Sequence, residues 1–143
     1  MENGMKQWAS SYAQMGLRVH PLNGKIPLWK GWPDKATNDL GTVAVVWDAQ
    51  PAANIGVVTG RYGERYLLVI DGDKPHGNNA ADGTATIASW QMIHGAFPET
   101  STAQTAHGGI HYYFWVDSPY RNKTGLYPGV DIRLSLIHIS EPT

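Results

Sequence analysis

The chain has 143 residues, with eleven Lys and Arg against twelve Asp and Glu, for a formal net charge of −1 at pH 7. No overall positive field therefore draws it onto nucleic acid or anionic lipid, and any phosphate binding must be local. This length bounds the chain to one domain, 42% hydrophobic content excludes a disordered tail, and sixteen glycines with nine prolines disfavour a pure helical bundle.

Trp8, Tyr12 and Met15 recur at helical spacing, which predicts a helix over residues 5–15 ended by Gly16. A short strand over residues 17–19 should follow. The segment Pro21-Leu22-Asn23-Gly24-Lys25-Ile26-Pro27 reads as loop by its Pro and Gly content, and Thr37 or Asn38 is expected to cap a second helix ending near Trp47. Two apolar, β-branched runs over residues 54–59 and 66–70 read as adjacent strands joined through Gly60-Arg61-Tyr62-Gly63-Glu64. Residues 85–93 read as a helix closed by Phe97-Pro98. Residues 102–105 and 110–116 form a hairpin across His107-Gly108-Gly109, and a last short strand over residues 130–133 follows Pro128-Gly129. Helices interspersed with strands indicate an α+β fold, an α/β sandwich of one sheet with helices packed on it. Residues 134–143 lack Gly-rich turn chemistry and read as a read-through or appended tail; the alternative is an ordinary edge strand.

The absence of Cys excludes disulfide frameworks, Cys-based zinc sites and thiol nucleophiles. Residues 1–20 lack the apolar core of a signal peptide and no apolar run approaches ~18 residues, so a cytoplasmic location without membrane association is expected.

The sharpest chemical feature is Asp71-Gly72-Asp73 at the carboxyl end of the run Tyr66-Leu67-Leu68-Val69-Ile70. Residues two apart in a strand share a face, so both carboxylates can address one site. Hard oxygen ligands of this kind suit a pair of Mg²⁺ or Mn²⁺ ions. A tight hairpin turn at Asp71-Gly72 is the competing reading, but Lys74-Pro75-His76-Gly77-Asn78-Asn79 cannot supply the strand such a turn needs. In Ile110-His111-Tyr112-Tyr113-Phe114, alternation places His111, Tyr113 and Trp115 on one face, so His111 leaves the Gly108-Gly109 loop pointing at a ligand or at solvent. A histidine there can donate to a phosphate oxygen while the glycines leave their amides accessible; a histidine packed on an aromatic face is the plainer alternative. In Gly129-Val130-Asp131-Ile132-Arg133, alternation puts Asp131 and Arg133 together, either as a third metal-binding acid and a phosphate grip or as a simple ion pair. Lys25 and Lys30 lie in loops with aromatic neighbours, and Asn54-Ile55-Gly56 with Thr59-Gly60 is either an ordinary strand and turn or a backbone platform that lets a nucleotide sit close.

Taken in order, these residues resemble the primase-polymerase (prim-pol) domain of the archaeo-eukaryotic primase superfamily, in the version found in phage and plasmid replication proteins. The resemblance runs from about Trp8 to Arg133 through Tyr12-Ala13, Gly16, Pro21-Leu22, Lys25 with Pro27, Ala36-Thr37, Asn54-Ile55-Gly56, Thr59-Gly60, Asp71-Gly72-Asp73, Pro98 with Thr100, Gly108-Gly109-Ile110-His111 and Gly129-Val130-Asp131-Ile132-Arg133. It implies an RRM-like sheet and a catalytic domain over residues 5–133. Asp71, Asp73 and Asp131 would hold two Mg²⁺ or Mn²⁺ ions, and His111 would contact the triphosphate. Gly108, Gly109, Arg133, Lys25, Asn54 and Thr59 would serve nucleotide binding. The implied reaction is template-directed nucleotidyl transfer on single-stranded DNA with nucleoside triphosphates, with a helicase downstream or in trans. Where the family usually has Ser before the Gly-Gly pair this chain has His107, and beyond Arg133 it lacks the family's usual Gly-rich stretch, so a truncated and poorly active fragment is expected. Two other readings of the same residues are a non-catalytic nucleotide or single-stranded DNA binding module and a two-metal nuclease or phosphohydrolase.

Overall fold

The computed structural model describes residues 4–75, 80–104, 108–118, 123–133 and 138–141. The chain divides into two units, Met1–Val58 with Ile137–Thr143, and Thr59–Leu136.

In the first unit, α1 (Gly4–Gln14) buries Ala9, Tyr12 and Ala13, which recur at the three-to-four-residue spacing of one helical face. β1 (Val19–Asn23) and β2 (Ile26–Pro27) form a hairpin with Leu22 opposite Pro27. The stretch expected as loop is thus strand at both ends, because the turn needs only Gly24, at φ 63, and Pro27 lies on an edge strand where its missing N–H is tolerated. After the single turn α2 (Trp32–Lys35), α3 (Leu40–Ala49) is capped by Asp39, whose carboxylate accepts from the Thr42 N–H at 2.9 Å and the Thr42 hydroxyl at 2.7 Å. The caps expected from sequence are used elsewhere: the Thr37 hydroxyl accepts from the Asp39 N–H at 3.0 Å, and Asn38 donates to the Gly16 carbonyl at 3.1 Å. β3 (Asn54–Val58) pairs antiparallel with β1. Val19, Leu22, Val43, Trp47, Ile55 and Val57 are fully buried, and the Trp47 indole donates to the Ala53 carbonyl at 3.0 Å, so its one polar atom is satisfied.

The second unit is built on β5. β4 (Gly60–Tyr62) and β5 (Arg65–Gly72) form a hairpin, followed by α4 (Gly83–His94), β6 (Thr102–Gln104), β7 (Ile110–Val116), β8 (Lys123–Tyr127) and β9 (Val130–Arg133). The sheet runs β6-β7-β5-β9-β8, with β4 pairing β5 off this path. The expected single sheet is therefore two. Gly60, at φ 97, redirects the chain after β3, so the two apolar runs read as adjacent strands enter different sheets. β10 (His138–Glu141) lies at the edge of the first sheet, antiparallel to β3 with Ile139 opposite Val57; the remainder of residues 134–143 lies outside the described residues.

Three glycines fix the carboxyl end of β5. Asp73 donates its N–H to the Gly129 carbonyl at 2.9 Å and accepts through its own carbonyl from Gly83 N–H. A Cβ on Gly83 would stand 2.0 Å from Gly129 O, and one on Gly129, at φ 77, would stand 2.4 Å from Gly83 N. A Cβ on Gly72 would meet Ile87 at 2.7 Å. Only backbone fits between these segments, and close approach of this kind is what glycine permits. The start of α4 is set by Asp82, whose Oδ1 accepts from Thr84 N–H at 3.1 Å, the Thr84 hydroxyl at 2.6 Å and Ala85 N–H at 3.2 Å. The helix consequently begins two residues before the expected position, and it ends at Gly95, ahead of Phe97-Pro98.

Gly83→Ala is expected to destabilise the chain by about 3 kcal/mol, at the upper end of overpacking effects, measured by urea unfolding. The Thr84 hydroxyl, the Ala85 N–H and the nearby Lys74 ammonium hold the Asp82 carboxyl below its ordinary value of 3.8. A carboxyl depressed on folding stabilises above the unfolded-state value, and that contribution is lost as pH falls through the lower folded value. Asp82→Ala should lower the melting temperature at neutral pH, and the gap from wild type should narrow in thermal melts as pH falls below the ordinary carboxyl value of 3.8.

Candidate metal centre

Antiparallel register builds the site before any side chain is considered. Asp71 on β5 lies directly opposite His111 on β7 and, across its other edge, directly opposite Asp131 on β9. Directly opposed residues point to the same face of a sheet, so one row across three strands carries an imidazole and two carboxylates. Asp73 follows two positions after Asp71 and is locked through its backbone to Gly83 and Gly129. Among the described residues, Asp71, Asp73 and Asp131 each offer a carboxylate oxygen, and these atoms lie within 4.8 Å of one another.

His111 is 3% exposed, and its Nε2 stands 3.3 Å from Asp71 Oδ1. Of the readings open to His111 from sequence, solvent is excluded: the ring is buried beside the acid and edge-on to Tyr113, 6.3 Å between ring centroids. Asp71 Oδ1 is itself buried and accepts no hydrogen bond. A buried carboxylate oxygen without a hydrogen-bond donor is costly, and a cation shared among three carboxylates held this close offsets their repulsion. Oxygen-only ligands with one orphaned buried atom therefore fit a hard divalent cation. Arg133 completes the row's neighbourhood, its Nη2 donating to Asp131 Oδ2 at 3.0 Å, so the same-face ion pair foreseen from alternation forms.

The remaining candidates have more varied surroundings. Gly108 takes φ 83, with the Lys74 side chain alongside the place a Cβ would occupy, and Gly109 is buried. His107 lies outside the described residues. In the first unit, the Asn54 side-chain amide donates to the Gly24 carbonyl at 3.1 Å and so braces the turn that carries exposed Lys25. The space over Gly56 is filled by the His20 imidazole, which a Cβ there would approach to 2.6 Å; His20 in turn stacks on Trp32. A nucleotide cannot take that position against the backbone. Thr59 is fully buried.

Sequence reading missed Lys74 and Gly83. Lys74 ion-pairs with the helix-capping Asp82 at 3.4 Å, immediately after the paired acids. Gly83 left a faint signal, an Asp-Gly-Thr run before a helical segment, since a glycine at a helix start is unremarkable without its contact to Gly129. The opposite face of the sheet holds a largely apolar cavity of about 240 Å³, lined by Ile70, Ile87, Trp90, Phe97, Val130 and Ile132 together with Thr86 and Tyr127.

No helix of the described residues is long and apolar enough to cross a membrane. No curated protein matches the chain. The family model for the bifunctional DNA primase/polymerase N-terminal domain matches residues 9–139, through both units and every acid of the cluster, and the chain belongs to that Prim-Pol family.

Proposed function

We propose that this chain is the nucleotidyl-transfer module of a DNA replication protein, extending a DNA strand on a single-stranded template. The observation that carries the reading is the convergence of Asp71, Asp73 and Asp131 beside a buried histidine within a chain of this family.

Asp71, Asp73 and Asp131 would hold divalent cations, Mg²⁺ or Mn²⁺ by their oxygen-only chemistry. When bound, such ions lower the pKa of a coordinated hydroxyl and offset charge on the leaving phosphates. In the reaction the 3′ oxygen of the growing strand forms a bond to the α-phosphorus of a nucleoside triphosphate. The bond from that phosphorus to the β-phosphate oxygen breaks, pyrophosphate leaves, and the hydroxyl proton passes to solvent. The chain's own contribution is placement: β5, β7 and β9 fix Asp71, Asp131 and His111 in one row, and the buried His111 ring stands beside Asp71 in it. The Gly108-Gly109 backbone and Arg133 would receive phosphate oxygens. A helicase acting downstream or in trans would supply the template.

Primer extension with Mn²⁺ on a primed single-stranded template tests the reading. Asp71→Ala and Asp131→Ala should each lower the extension rate by about a thousandfold or more, since each removes a ligand from ions worth several kcal/mol in the transition state. Template and nucleotide binding with no extension in the wild-type chain would instead favour a binding module, and strand degradation lost in the variants would favour a nuclease. Chelation with EDTA should abolish extension, and added Mn²⁺ should restore it.

A further inference from the structure

We propose that Arg133 is a built-in counter-ion of the acidic cluster, which a divalent cation must displace and which then turns to the phosphates of the incoming nucleotide. The inference rests on the reading of Asp71, Asp73 and Asp131 as cation ligands.

Three carboxylates converge here, and the guanidinium of Arg133 sits on one of them, 3.0 Å from Asp131 Oδ2. One guanidinium offsets one of the three negative charges. Divalent cations on the same oxygens would offset more than that, and a guanidinium left at hydrogen-bond range from them would be strongly repelled in a part-buried site. The contact is built to be released. A guanidinium can grip a carboxylate with two parallel bonds, whereas among the described residues Arg133 makes one, and its side chain remains 29% exposed. Its planar fork matches a phosphate as well as a carboxylate, so a bound triphosphate offers the displaced group an equivalent partner.

An arginine behind a metal ligand can have another role, holding the carboxylate in its ligating orientation, as hydrogen-bonding groups behind metal ligands commonly do. The two roles have opposite signs. Losing an orienting group weakens metal binding, and losing a competing cation strengthens it. The fold favours competition: β9 is paired on both edges, by β5 and β8, and Asp131 is held in register directly opposite Asp71 without help from Arg133.

Mn²⁺ binding to the nucleotide-free chain, followed by electron paramagnetic resonance, separates the roles, with Arg133→Gln and the charge-retaining Arg133→Lys beside wild type. Arg133→Gln is expected to bind Mn²⁺ about tenfold more tightly, within the range by which neighbours of metal ligands shift affinity, and Arg133→Lys to stay within about threefold of wild type. At saturating Mn²⁺, deoxyadenosine triphosphate should bind Arg133→Gln about tenfold more weakly, the loss of one charge-assisted contact. Equal or weaker Mn²⁺ binding by Arg133→Gln, with wild type binding normally, overturns the counter-ion role and leaves the cation site standing. Unchanged nucleotide affinity overturns the transfer to phosphate. Failure of the wild-type chain to bind Mn²⁺ overturns both this inference and the site on which it rests.

Discussion

Like charges do not gather unaided, so the backbone must hold the acids where their side chains would not go. Three carboxylates with oxygens inside 4.8 Å repel one another, and the force that opposes this is the hydrogen-bonded ladder of β7, β5 and β9. Register places Asp71 between His111 and Asp131, and a slip of one residue in either neighbouring strand would send that residue to the opposite face. Fully buried Leu67 and Val69, on the same face of β5, pin the register through the hydrophobic cost of a slip.

The fourth member of the site depends on a different device. Asp73 lies just beyond the ladder, where no strand partner fixes it, and its backbone is caught between Gly83 and Gly129. The start of α4 and the turn before β9 thereby meet at the residue that needs them, with no room for a side chain at either glycine. Asp82 secures the helix end of this junction, and Lys74 ties the capping carboxylate back to the residue after Asp73. Structural and chemical roles are divided among neighbours in sequence: Asp82 caps, Asp73 faces the cluster, and Lys74 joins them.

The charge balance of the site links its structure to its function. A cluster this acidic is stable without metal only with local compensation, and Arg133 and the buried ring of His111 are the basic groups set against it. The chain as a whole, at a net charge of −1, offers no overall positive field to draw in a polyanion. Under the proposed function, phosphate recognition would rest on cations gathered locally at this row, which suits a module whose substrate arrives with its own negative charge.

Strand alternation alone placed Asp131 with Arg133 and put His111 on the face opposite Ile110 and Tyr112, because the two-residue period of a strand is a local property. The ordered motifs likewise pointed to the family without any coordinates. Local signals failed where two choices were nearly equal in sequence. Thr37 and Asn38 both read as starts for α3, but their side chains bond the Asp39 N–H and the Gly16 carbonyl, and the cap falls to Asp39. Two similar apolar runs were indistinguishable as neighbours until Gly60 sent them into separate sheets. Which strands lie side by side, which acids consequently meet, and why Gly83 must be glycine are decided by contacts between residues tens of positions apart. Composition and periodicity fix what each segment can become; only long-range hydrogen bonding and packing select which faces are brought together.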